Sequence, residues 1–474
     1  MRSAAVTVRP VRLLLVAAVL AAAVVALWFR WYGGVDVDEG WLLTVSWQVS
    51  QGLVLYKDIF EFHPPGAFHL LGELFRVVGP SLVAAKLFII VVTLLTAVAL
   101  DRLSRLLALQ PWQRIAVIAV WGVTLTMFPL LTPNHLANLG SIWAVWLLVR
   151  AWRTQRPSAF AAAALAAAAT AWIVQTRGLA VVLAGLAVVL TSRRRQWIGA
   201  YLGGLILAAL PVLAFPPTTL WHVLVVVPSR YYLKSQYAAV TLPLLAGLLL
   251  AVIGVIAAWR RVRVRGFGPL WLTAALLAAS IWSRAELPYL AQVLWPFPIL
   301  LFAVLEHLPV TPTSRPVRVA GYYAGGVMAA QLLGWAALNS AASVAQIALP
   351  AWRQGGDVWS KIATEVQRRT APGDPIFATP YLPGAYFFAQ RPNATPYHTL
   401  VSEFHPPEVF AEVIARLEQV KPKVVLRALD SFAVARGFHR DGTVLDRYLD
   451  ERYQVEVAAI GGYRVQLLRR RVDR

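Results

Sequence analysis

The sequence predicts a polytopic α-helical membrane protein of about eleven transmembrane helices, followed by a small extracytoplasmic α/β domain. Three observations carry that reading. The 474 residues are 58% hydrophobic and only 14% charged, whereas a soluble domain is about 45–50% apolar and about 25% charged. Apolar runs of the length that crosses a bilayer, about 17–25 residues, recur through residues 1–344. From residue 345 onward charge returns, and short helix-like and strand-like segments alternate.

The apolar runs fall at about 11–31, 81–101, 113–131, 136–152, 158–175, 178–192, 197–216, 239–259, 267–283, 288–305 and 319–341. The fifth and sixth form either two spans or, the sixth being short, a re-entrant hairpin. Charge arbitrates. With the N-terminus cytoplasmic, one set of alternate loops carries Arg102, Arg105 and Arg114; Arg150, Arg153 and Arg156; Arg193, Arg194 and Arg195; Arg260, Arg261, Arg263 and Arg265; and Arg315 and Arg318. Together with Arg2, Arg9 and Arg12, that places 18 of the 26 basic residues of 1–344 on one side, as the positive-inside rule requires. The count works only if 158–192 crosses twice. The first run is long, lacks a clear small-residue cleavage site and reads as a retained anchor. The chain is then a multi-pass protein of the inner (plasma) membrane, with loop 32–79 and the tail 345–474 both extracytoplasmic.

The net charge of +21 does not point to nucleic acid. Residues 1–344 hold 26 basic against 9 acidic residues and 345–474 hold 18 against 14, so the excess belongs to the membrane part. The absence of cysteine excludes disulfides, thiolate metal sites and a thiol nucleophile. In the tail, "DVWSKIATEVQRR", "PPEVFAEVIARLEQV" and "TVLDRYLDERY" read as helices and "PIFAT" and "PKVVLRAL" as strands. "VEVAAI" and "YRVQLL" read as a closing hairpin. The tail offers no catalytic constellation of its own.

Chemistry concentrates in loop 32–79. Six of the nine acids of 1–344 lie there: Asp36, Asp38, Glu39, Asp58, Glu61 and Glu73. Asp36 and Glu73 read as solvated charges. Asp38 and Glu39 open an amphipathic helix, "DEGWLLTVSWQVSQG", where a carboxylate also stabilises the N-terminus, so capping accounts for one of the pair. "YKDIFEFHPPG" then adds Asp58 and Glu61 before a Pro64-Pro65-Gly66 turn.

The Asp38-Glu39-Gly40 step just after the first span, Gly52-x-x-x-Tyr56-x-Asp58-x-Phe60 and Pro64-Pro65 resemble the membrane glycosyltransferases of the C-type fold (GT-C) that use lipid-phosphate sugars. The nearest branch is that of protein O-mannosyltransferases and lipid A aminoarabinose transferases, the family 39-like enzymes. Gln175-Thr176-Arg177-Gly178 is similar to that family's Lys-Gln-x-Gly segment, and "RAELPYLAQVLWPFPILL" to its Pro-bearing late helix. Where the lipid A branch has Glu-x-Lys-Pro, this chain has Glu61-Phe62-His63-Pro64, which leaves the donor-phosphate contact and the sugar open.

The resemblance implies a transmembrane glycosyltransferase domain over 1–344, whose catalytic first loop is 32–79. It implies transfer of a sugar from a polyprenyl-phosphate donor to a hydroxyl of a protein, glycan or glycolipid acceptor, with inversion. Asp38 is then the general base and Glu39 the second candidate. Asp58 or Glu61 would orient the acceptor or hold a divalent cation, with no other cofactor implied. Polyprenyl phosphate is a good leaving group, so the chemistry needs a base and cationic donors around the phosphate. Arg177 is the first candidate for that contact, snorkelling to the interface being its alternative. Arg230 and Lys234 in the loop 217–238, His63 and Arg284 follow, although Arg284 also has Glu286 within reach as an ion-pair partner. The rival readings are a transporter or flippase of lipid-linked sugars and a non-catalytic protein that binds envelope polymers.

Overall fold

The computed structural model describes residues 37–127, 130–232, 266–280, 293–307, 316, 358–402, 405–429, 442–460 and 464–471. The expected spans at 11–31, 239–259 and 319–341 lie outside the described residues, as do Asp36, Lys234, Arg284, Glu286 and the boundary near 345.

The first loop is helical at both ends. α1 (Val37–Ser50) begins with Asp38 and Glu39 in its first turn, and α2 (Gly66–Val78) follows the Pro64-Pro65 turn and buries Ala67, Phe68, Leu71 and Phe75 along one face. The expectation of an amphipathic α1 is corrected: nearly every residue from Glu39 to Val49 is buried, because the helix is packed between neighbours on both sides.

The apolar runs fold as α3 (Leu82–Leu106), α4 (Pro111–Met127), α5 (Pro133–Thr154), α6 (Pro157–Ala171), α7 (Gln175–Ser192) and α8 (Arg195–Ala209). Their ends follow local chemistry. The Ser81 and Thr132 side chains cap α3 and α5 by accepting from the backbone N–H groups of Ala84 and Asn134. Pro157 starts α6, and Gln155 and Arg193 close α5 and α7 in the left-handed region. Two short helices, α9 (Pro217–Trp221) and α10 (Val227–Tyr232), lead out of α8; α11 (Phe267–Ser280) and α12 (Pro296–His307) complete the described apolar set. Among the described residues, Leu82–Leu106, Gln175–Ser192 and Arg195–Ala214 are long and apolar enough to cross a membrane. At 1.5 Å per residue, the 15 residues of α6 span only about 22 Å.

The tail builds a sheet. α13 (Val358–Gln367), β1 (Ile376–Thr379), α14 (Gly384–Ala389), α15 (Pro407–Val420), β2 (Val424–Ala428), α16 (Val444–Arg452), β3 (Tyr453–Val457) and β4 (Val465–Arg470) follow in order. The strand order is β1-β2-β4-β3. β1 and β2 are parallel, Ile376 opposite Val424, with α15 in the crossover; β4 runs antiparallel to both β2 and β3. All four expected strands and three expected helices are present. The period-2 alternation of side chains sends Ile376, Ala378, Val424, Leu426 and Leu467 to one face and Phe377, Val425 and Leu468 to the other.

The first face decides the architecture. Its apolar cluster is continuous with Leu43 and Val45 of α1, Phe68 and Leu71 of α2 and Ile89 of α3, as well as Trp359 of α13 and Tyr386 of α14. The first loop and the C-terminal sheet therefore share one core. A second cluster joins α3, α4, α5, α7, α11 and α12, and a third lies under α15 and α16.

Candidate active site

Asp38 stands, half-buried, in the first turn of α1. Tyr381, from the turn between β1 and α14, donates its hydroxyl to Asp38 Oδ1 at 2.5 Å. The two elements are held in register close by. Thr44 Oγ1 donates to the Pro383 carbonyl at 2.6 Å, and a Cβ on Gly40 would lie 2.8 Å from Gly384 Cα. The motif glycine after Asp38-Glu39 is thus the point at which α1 meets α14 backbone to backbone.

Glu39 is 1% exposed and its Oε1 accepts the Leu131 N–H at 2.9 Å. It ties α1 to the α4–α5 loop. Its burial separates it from Asp38 in what it can reach.

Glu61 is the charge centre of the loop. Buried to 1% exposure, it accepts from Trp41 Nε1 (2.8 Å), from the backbone N–H groups of Phe62 (2.8 Å) and His63 (3.0 Å), and meets His63 Nδ1 at 2.7 Å. His398 Nε2 lies 3.6 Å from its other oxygen. Burial alone would raise its pKa; the charge and hydrogen bond of His63, then His398 and Trp41, outweigh this and hold it below the usual carboxylate range. His398, from the tail, is moved the other way from a typical surface histidine, burial pushing its pKa down against the pull of Glu61. The polar atoms of Glu61 are thus turned to its own loop and the tail, a structural use of a residue expected to orient an acceptor.

The Gly52-x-x-x-Tyr56-x-Asp58-x-Phe60 motif forms a tight knot. Tyr56 sits at φ 66 and its hydroxyl donates to the His63 carbonyl at 2.7 Å; burial, then Glu61, raises its pKa far above the normal phenol value and keeps it a donor. Asp58 is exposed and accepts the Val54 N–H at 2.9 Å, closing its own turn. Phe60 N–H donates to the Pro396 carbonyl at 3.0 Å, with its ring 5.0 Å from Tyr397. The motif fastens the loop to the tail. Asp58 and Glu61 do not converge on one point: one is at the surface and the other enclosed. Among the described residues no group of three or more His, Asp and Glu side chains is arranged to hold a metal ion. Glu73, as expected, is exposed and pairs with Arg76.

Of the expected cations, Arg177 is placed beside the loop. It occupies the first turn of α7 at 2% exposure, so snorkelling does not describe it. Its Nη1 donates to Asn138 Oδ1 at 3.3 Å. Asn138 is one turn along α5 from His135, whose Nε2 meets the Leu130 carbonyl at 2.8 Å, next to the Leu131 N–H that Glu39 holds. The two sequence motifs meet at the α6–α7 turn, where Gly66 N–H donates to the Trp172 carbonyl at 2.7 Å. A Cβ on Gly178 would fall 2.0 Å from Ala171 N, so the glycine after Arg177 lets α7 start against the end of α6. His63, partly exposed, is packed 4.6 Å from Trp41 and 4.4 Å from Phe62. Arg230 is exposed on α10, and among the described residues no hydrogen bond or ion pair joins it to this cluster.

Tyr381, His398, His135 and Asn138 were missed in the sequence. Tyr381 had a usable signal: it follows an expected strand directly, within "TPYLPG", and α/β sheets gather functional groups at the C-terminal ends of parallel strands. His398 and Asn138 carry no local signal, since Glu61 and Arg177 lie far away in the chain; His135 meets the nearby Leu130 carbonyl but stands in no recognisable motif.

No family model matches the chain, and no curated protein matches it. Among solved structures it is similar to the crystal structure of ArnT from Cupriavidus metallidurans bound to undecaprenyl phosphate, with TM-score 0.54 and 15% identity over 96% of this chain and 97% of that one. The apo state of the same protein gives TM-score 0.53 and 14% identity over 97% and 98%. A cryo-EM structure of the arabinosyltransferase EmbB from Mycobacterium smegmatis aligns with 63% of this chain and 30% of its own, at TM-score 0.43 and 17% identity. The likeness to ArnT is one of fold and extends over nearly the whole of both chains: the chain has the C-type glycosyltransferase fold that its first-loop motifs predict.

Proposed function

We propose that the protein is an integral-membrane glycosyltransferase that moves a sugar from a polyprenyl-phosphate donor to an acceptor hydroxyl at the extracytoplasmic face, with inversion. The observation that carries this is Asp38: a half-exposed carboxylate, braced by Tyr381, in a fold shared with a protein solved with undecaprenyl phosphate. The acceptor oxygen attacks the anomeric carbon from the side opposite the phosphate. The bond from that carbon to the phosphate oxygen breaks, the phosphate leaves with the electron pair, and the acceptor proton passes to Asp38. A base positioned in this way contributes about 10²–10⁴ in rate. Arg177, buried where screening is weak, is the candidate to stabilise charge developing on the leaving phosphate, with His63 next; Arg230, Lys234 and Arg284 are further candidates.

The test uses the full chain in liposomes with undecaprenyl-phosphate-linked mannose, glucose, galactose, arabinose and aminoarabinose, and envelope extracts as acceptor. Transfer from at least one donor is expected, with Asp38→Asn about 10²–10⁴ slower. Donor crossing the bilayer without any transfer would make the protein a transporter instead.

A further inference from the structure

We infer that Tyr381, in the C-terminal region, is a positioning residue for Asp38, restraining the carboxylate that receives the acceptor proton. This rests on the reading of Asp38 as the base.

Three features carry it. The hydroxyl–carboxylate distance of 2.5 Å is at the short end of charge-assisted O–H···O⁻ bonds. Both residues are half-buried, so neither is sealed in the core. The backbone around Tyr381 is pinned independently of its hydroxyl. Leu400 N–H donates to the Pro380 carbonyl at 2.8 Å, Thr44 Oγ1 to the Pro383 carbonyl at 2.6 Å, and Ala378 N–H to Tyr386 Oη at 2.9 Å. A hydroxyl held that firmly is more than a cap on a helix end. It restrains the Asp38 side chain through Oδ1. A hydrogen bond donated to a carboxylate favours its charged over its protonated form.

The consequence is a division of labour between distant parts of the chain: α1 supplies the base, and the β1–α14 turn, 343 residues further on, restrains it.

The experiment compares wild type with Tyr381→Phe, Thr44→Val and Asp38→Asn, using whichever undecaprenyl-phosphate sugar the wild type transfers. Tyr381→Phe removes one oxygen and leaves the pinned backbone. It should lower kcat roughly tenfold, the scale of one charge-assisted hydrogen bond, leave the donor KM unchanged, and shift the acid limb of the kcat/KM profile to higher pH. Thr44→Val, which loosens the same junction without touching Asp38, should leave that limb where it was. The inference is overturned if Tyr381→Phe keeps the wild-type kcat and profile while Asp38→Asn is inactive, an outcome that leaves the proposed function standing. It is also overturned if Thr44→Val moves the limb as far as Tyr381→Phe, since general loosening then explains both. Full activity of Asp38→Asn, or no transfer by the wild type, overturns it together with the reading on which it rests.

Discussion

Glu61 is buried with its charge, and a buried charge persists only when it is paired and hydrogen-bonded. Its oxygens take an indole N–H, two backbone N–H groups and a histidine, with a second histidine near. Glu61→Gln should therefore destabilise the fold by about 3–5 kcal/mol, read as a fall in the thermal midpoint. A loss below 1 kcal/mol would contradict the hub. The neighbouring histidines set a pH dependence. Burial pushes His405 down from 6.5 to about 4, and His398 is lowered for the same reason. Both are neutral in the fold but would protonate in the unfolded chain. The contribution of His405 is thus complete above pH 6.5 and is lost as pH falls toward 4, roughly 3 kcal/mol in all; that of His398 is lost in the same direction. Glu61, depressed as a carboxylate, adds its own loss below its ordinary value of 4.5. His405→Gln, which keeps an acceptor for the Val401 N–H, should flatten the midpoint-against-pH curve between 6.5 and 4; an unchanged slope would refute the assignment. At this scale the sequence was partly legible. The clustering of acids in 36–73 is visible by counting, but Asp38, Glu39, Asp58 and Glu61 separate into distinct environments only through partners such as Tyr381, Leu131 and His398, which no spacing announces.

The junction of α1 with α14 shows what an element gains from a glycine. Helices separated by side chains pack about 8–10 Å apart; Gly40 opposite Gly384 lets these backbones approach until a single Cβ would sit 2.8 Å from the opposing Cα. Because the atom it meets is backbone, neither helix can yield by a rotamer change. Gly40→Ala should cost about 1–3 kcal/mol and displace Asp38 from Tyr381. The check is a pair of readings, a lower midpoint together with reduced transfer, and a variant with wild-type values in both would show that the junction tolerates spreading. Legibility at this scale follows length. The strands Ile376–Thr379 and Val424–Ala428, the closing hairpin and helices of nine residues or more carry a period long enough to read. The six residues of α14 carry less than two turns of it and went unseen, although they complete the site. α1 was legible as a helix and misread as amphipathic, since α2 covers one side and α14 another.

At the scale of the whole molecule, contacts sort the loops into two ends. The first loop touches the α4–α5 loop through Glu39 and Leu131, the α6–α7 turn through Gly66 and Trp172, and the tail through Phe60 and Pro396. The arginine-bearing turns lie at the opposite ends of the same helices: Arg105 and Arg114 share Asp101 where α3 meets α4, Arg150 stacks on Trp146 late in α5, and Arg194 on Trp197 at the start of α8. That partition is legible in the sequence, because arginine clusters alternate with apolar runs of bilayer length. Which end faces the cytoplasm is a matter of charge bias rather than packing. The positive-inside rule predicts the arginine end in the cytoplasm and the Asp38 end, with the C-terminal sheet, outside. A native chain without cysteine makes the test clean. Ser360→Cys on the exposed face of α13 and Arg156→Cys at the start of α6 each introduce one thiol at a surface position. In intact cells, with any outer membrane permeabilised, a membrane-impermeant maleimide should label Ser360→Cys and spare Arg156→Cys until lysis. The reverse pattern would turn the molecule over and put Asp38 on the cytoplasmic face. Labelling of both before lysis would mean that the two ends are not separated by a membrane, and the reading of α3 to α8 as spans would fall with it.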